Sequence, residues 1–126
     1  MSAASRIVKD NGTIICASEC RDGFPNHGPF STLLKSKESP AELLLMIQDE
    51  NFSEADQWQV QIQAQIQEKA QILLKNSYIK DSEVMKSHIV PISDINAAIN
   101  ESLDKHGPNS SLCILPQGPQ VIPYLI

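Results

Sequence analysis

Aromatic residues are scarce. The chain of 126 residues holds three Phe, two Tyr and one Trp, so its core must be built mainly from Ile, Leu, Val and Ala. Cysteine is sparse as well. Three cysteines, an odd number, argue against a disulfide scaffold and fit a reducing, cytoplasmic setting. Positive charge is in short supply: the net charge is −5. Beyond Lys35 and Lys37 there is no cluster of the kind a phosphate backbone requires, so nucleic acid is not an expected partner. No apolar run approaches the roughly 18–20 residues of a membrane span, and "MSAASRIVKDNG" lacks an apolar signal core; no membrane partner is expected. Glycine-rich phosphate loops of the GxGxxG or GxxxxGK type are missing, and no Ser/His/Asp set is legible.

What is present describes one domain. A hydrophobic content of 41% with 20% charged residues suits a single globular core. "SAASRIVKD" reads as the end of a helix with Ala3, Ile7 and Val8 on one stripe, stopped by Asn11-Gly12. "TIICAS" (13–18) is a continuous apolar run, the pattern of a parallel strand buried on both faces. A loop follows (19–29), then a short helix in "FSTLLKSK". "SPAELLLMIQDE" opens with Ser39, Pro40 and Glu42 at the positions of a capping box. Residues 70–76 read as a second strand, 81–88 as a short helix and "HIVPI" as a third strand ended by Pro91. "SDINAAINESLDKHGP" is a helix with Ser93 as its expected cap and Ile95, Ala98, Ile99 and Leu103 on its stripe. "SLCILP" (111–116) reads as a fourth strand. This alternation predicts an α/β domain of three layers, a mostly parallel sheet of about four strands flanked by helices.

The stretch "DQWQVQIQAQIQEKAQ" (56–71) alternates apolar residues with glutamine, which is the period of a strand. Its composition and length favour a helix. On a helix, Trp58, Ile62, Ile66 and Ala70 recur every four residues as one face, with Ser53 as the expected cap. Spacing alone leaves Trp58 either a core tryptophan on that stripe or a group at a helix entrance facing a ligand crevice.

Few other residues suggest chemistry. Cys16, Cys20 and His27 match no standard zinc spacing, and no metal site is expected from them. Glu19 and Asp22 follow the C-terminal end of the first strand, where α/β sheets form ligand crevices, so that loop is a candidate site edge or simply a solvated loop. "PQGPQ" (116–120) after the last expected strand has the same status.

Taken together, "IVKDNGTIICASECRDGFP", "DQWQVQIQ", "AQILLKNSYI" and "ILPQGPQVIP", in this order and spacing over nearly the whole chain, resemble the C-terminal domain of the nickel-dependent lactate racemase family. The resemblance implies a domain spanning residues 1–126 that works with a larger N-terminal catalytic domain of the same protein, which is absent from this chain. That domain would carry a nickel-pincer nucleotide and the catalytic histidines, and this fragment would bind no cofactor and hold no catalytic residue. The implied reaction racemises or epimerises a small 2-hydroxy acid at the interdomain cleft. Hydride leaves Cα for the pincer ring and returns on the other face, while a histidine handles the hydroxyl proton. Trp58 lies in the family's Asp-Gln-Trp motif, where the tryptophan borders the substrate. The family's double glycine is Asn11-Gly12 here. On this reading Met1 is not a natural start and the fragment alone is inactive. The competing expectation is a stand-alone, non-catalytic α/β module that binds a ligand or a partner.

Overall fold

The computed structural model describes residues 1–25 and 28–124. Helix α1 (Ser2–Ser5) leads through a turn to strand β1 (Gly12–Ala17). Helices α2 (Phe30–Leu34), α3 (Pro40–Ile47) and α4 (Gln57–Lys69) follow. Strand β2 (Ala70–Lys75) begins at the residue after α4 ends. Helix α5 (Asp81–Met85), strand β3 (Val90–Pro91), helix α6 (Ile95–His106) and a 3₁₀ turn (Gly118–Gln120) complete the order.

The sheet runs β1-β2-β3 with both pairings parallel, placing Ile14 against Ile72 and Leu73 against Val90. Successive side chains of a strand point to opposite faces, and the two faces are filled differently. Ile14 and Ile72 join Ile66, Ala70, Val84 and Ile89 in one buried cluster, with Ala4, Val8, Cys16 and Leu74 packed against it. The alternate positions turn to α6. The Thr13 hydroxyl lies 3.0 Å from His106 Nε2, and Lys105 Nζ donates to Gln71 Oε1 at 3.0 Å. Helices therefore cover both faces, as the α/β reading expects.

The described residues contain three strands, not about four. Residues 111–116 form no strand, and Leu112 and Ile114 stand 53% and 72% exposed. A strand exists only through its ladder, and a short apolar run ending at Pro116 has no partner here to supply one.

A second cluster is purely helical. Leu33, Leu34, Leu43, Ile47, Val60 and Ala64 are buried together, with Phe24, Phe30, Leu44, Met46 and Phe52 around them. The expected cap of α3 is present: Ser39 Oγ accepts from the Glu42 backbone N–H, and Glu42 Oε2 accepts from the Glu38 N–H. Helix α6 is capped one residue later than expected, by Asp94 Oδ1 accepting from the Ala97 N–H.

Helix α4 departs most from expectation. It begins after Asp56, which has φ 62°, and Ser53 does not cap it. Its buried residues are Val60, Gln63, Ala64 and Ile66. The stripe built on Trp58 and Ile62 is on the outside, at 60% and 42% exposure. The reason lies in the alternation. Apolar residues two apart on a helix fall on nearly opposite faces, so 58, 62 and 66 make one stripe and 60 and 64 another. The helical cluster takes the second stripe. Two glutamines share the buried side and have work there. Gln63 Nε2 and Gln67 Nε2 donate to the Ser87 carbonyl at 3.2 and 2.8 Å, and Gln67 also reaches the His88 carbonyl at 2.8 Å. His88 has φ 60°, and these bonds hold the turn that precedes β3.

Candidate functional site

Helix α4 runs straight into β2. The 13-residue helix and the 6-residue strand are each about 20 Å long. The loop that leaves the C-terminal end of β1 reaches the N-terminal part of α4, where Phe24 packs in the cluster that holds Val60, and this ties the start of α4 to that end of β1. That is the end at which open α/β sheets place their ligands.

The loop after β1 bridges these elements. The Ser18 N–H donates to the Lys75 carbonyl at 3.0 Å and the Ser77 N–H to the Glu19 carbonyl at 3.2 Å, joining the ends of β1 and β2. Cys20 takes a left-handed conformation at φ 52°, and the Gly23 N–H closes a turn on its carbonyl at 2.9 Å. Phe24 then reaches the helical cluster that also holds Val60. Further along, Gly28 (φ 73°) comes so close that a Cβ there would stand 2.9 Å from Asp56 Oδ2. At the start of α4, Gln57 Oε1 accepts from the Glu54 N–H at 2.8 Å. The entrance to α4 is thus held from two sides, and Trp58 is carried outward on it.

The expected site residues take up distinct states. Glu19 is exposed and paired with Arg21 at 3.1 Å, and the Arg21 guanidinium lies 5.8 Å from the Tyr78 ring centre. Asp22 is exposed in the turn and makes no ion pair among the described residues. No hydrogen bond among the described residues joins Trp58 to either acid; shared location is what relates them. Between the strand ends lies an open depression lined by Ala17, Ser18, Glu19, Lys75, Asn76 and Ser77. Lys75 and Ser77 were not singled out by the sequence, although the rule that pointed to Glu19 after β1 applies equally to the end of β2. Residues 116–120 lie elsewhere: their 3₁₀ turn packs against α1.

Beside this end, Lys35 Nζ contacts Glu83 Oε2 at 2.6 Å and lies 4.0 Å from the Phe24 ring centre, while Lys86 contacts Glu83 Oε1 at 2.9 Å. The two ammonium groups hold the Glu83 carboxyl down at about 2, against an ordinary 4.5. The pair fixes the end of α2 to α5.

The described residues offer no group of three or more His, Cys, Asp or Glu able to hold a metal ion. His27 lies outside the described residues. No helix among the described residues is long and apolar enough to cross a membrane.

Comparison with known proteins agrees with this architecture. The family model described as the lactate racemase C-terminal domain matches residues 1–123. The curated lactate racemase of Thermoanaerobacterium thermosaccharolyticum is 27% identical over 124 residues, covering 97% of this chain and 29% of that protein. The solved structure of the lactate racemase apoprotein from Thermoanaerobacterium thermosaccharolyticum aligns with a TM-score of 0.72 at 27% identity, covering 81% of this chain and 25% of the other. The chain thus spans under a third of the length of the curated relative it matches. With the helix-flanked parallel sheet and the match over nearly every residue, this chain belongs to the family of lactate racemase C-terminal domains.

Proposed function

We propose that the chain serves as the substrate-covering C-terminal domain of a 2-hydroxy-acid racemase or epimerase, with Trp58 as one wall of the substrate pocket at an interdomain cleft. One observation carries this reading. The only tryptophan of the chain is 60% exposed in the first turn of α4, on a helix whose other face is buried. A large indole held in water by a rigid helix gains nothing for the isolated fold. Against a bound substrate it would position the small acid and exclude water. The loop with Glu19 and Asp22 would form the rim of the same cleft. A nickel-pincer nucleotide, carried by the preceding domain, would supply the hydride chemistry.

The test is co-expression with the cognate N-terminal domain and a racemase assay over several 2-hydroxy acids. Trp58→Ala is expected to lower turnover by about tenfold or more, with circular dichroism and melting temperature unchanged. Unaltered activity, or loss of folding, would remove Trp58 from the site. A chain that binds a small carboxylate unaided as a monomer would favour a stand-alone binding module.

A further inference from the structure

The outer face of α4 continues beyond Trp58. Ile62, one turn along, is 42% exposed, and below it Ile66 is buried at 6%. Together with α1 this face forms a groove lined by Ser5, Arg6, Ile62, Gln65, Ile66 and Lys69, which Ser2 completes. Helix α4 is apolar on two sides: Val60 and Ala64 are buried in the helical cluster, while Trp58 and Ile62 stand exposed. Glutamines 63 and 67 point inward to the Ser87 and His88 carbonyls, while a tryptophan and an isoleucine point outward. Apolar residues on both sides of a helix are accounted for when both sides have something to cover.

The groove also differs electrically from the rest of the chain. The net charge is −5, yet the charged groups lining the groove are Arg6 and Lys69. Lys69 Nζ is committed to the Ser5 carbonyl at 2.8 Å. Arg6 is exposed and has no acidic partner among the described residues. A fitting partner would bring an apolar side chain for Ile62 and a carboxylate for Arg6.

We infer that this groove receives the preceding domain of a full-length racemase. The inference rests on the functional reading above and names the surface through which it operates. The family is that of a C-terminal domain, and this chain covers 29% of its relative, so in such a protein most of the polypeptide precedes the position of α1. Helix α1 is one wall of the groove, and in a protein of the relative's length the preceding polypeptide would arrive beside it. Trp58 then faces the cleft and Ile62 the joint: one helix face serves both.

The test uses as probe the part of the Thermoanaerobacterium thermosaccharolyticum lactate racemase that precedes its matched segment, titrated calorimetrically with the 126-residue chain. The relative's own matched segment serves as positive control. Ile62→Glu is expected to weaken association at least about tenfold, with the circular dichroism spectrum unchanged. Arg6→Glu is expected to weaken it severalfold at low salt, a difference that shrinks as salt is added. A wild-type chain that fails to bind, beside a control that binds, overturns both this inference and the functional reading. A wild type that binds and an Ile62→Glu variant that binds within twofold overturn the inference alone. So does a chain that self-associates through Ile62 while its affinity for the probe is insensitive to Ile62→Glu, because the face then belongs to a second copy.

Discussion

The two cores of the domain are held together in different ways. Around the sheet, Ile14, Ile72, Ile89 and Val84 are all β-branched and sit on or beside a backbone ladder joining β1, β2 and β3. The helical cluster is rich in Leu, with Phe at its margin, and no ladder crosses it, so its cohesion comes from side-chain burial. Helix α4 belongs to both, giving Val60 and Ala64 to the helices and Ile66 to the sheet. Outside α4, the regions are further tied by the Lys35–Glu83 pair. A region joined by packing alone opens more readily than one stitched by a ladder.

Truncation on each side tests this contrast most strongly. Leu43→Ala and Ile72→Ala each remove a side chain that is at most 2% exposed, and each is expected to cost about 2–5 kcal/mol in urea unfolding. Hydrogen exchange should separate them. Leu43→Ala should release the amides of α2 and α3 while β1 and β2 keep their protection; Ile72→Ala should lower protection everywhere. Equal loss throughout in both variants would make the two cores one cooperative unit.

A smaller effect is expected where α4 meets the turn before β3. Gln67→Ala leaves the His88 carbonyl without this donor, while Gln63 still reaches Ser87. The expected loss is about 1–3 kcal/mol, and adding Gln63→Ala should give a non-additive total. Simple additivity would show that the two amides act independently.

The smallest effect is electrostatic. The Glu83 carboxyl is held at about 2, below its ordinary 4.5, first by its hydrogen bond to Lys35 and next by that to Lys86. A depressed carboxyl contributes stability that is fully present above pH 4.5 and lost as the pH falls through 2. Its side chain is 36% exposed, so water screens the pair and the slope should be shallow. Glu83→Gln should flatten stability over that pH window. An unchanged slope would transfer the acid sensitivity to other carboxylates.

Local chemistry made much of the fold legible. Ser39 with Glu42 announced α3, and the run from Ile14 to Cys16 announced a parallel strand, because caps and strand burial act through near neighbours. The rotation of α4 was not legible. Two apolar stripes on opposite faces are equivalent in sequence, and only the Leu43 and Leu34 side of the fold decides which one is buried. The strand expected at 111–116 failed for a related reason: an apolar run states that pairing is tolerable, but a neighbouring edge must provide it. For the candidate site, the end of β1 pointed to Glu19 and Asp22, and the same rule applied at the end of β2 reaches Lys75, whereas Ile62 depends on what lies beside it in space.

The junction of α4 and β2 has no connecting residues: Lys69 is the last of the helix and Ala70 the first of the strand. The angular phase of the helix is therefore geared to the pleat of the sheet. Adding one residue between them would either turn the helix by about 100° or shift the strand by one pleat. In the first case Trp58 and Ile62 would swing away from their present bearing; in the second, Ile72 would leave the core. Neither part can be retuned alone, so the direction in which the indole points is written into the register of β2.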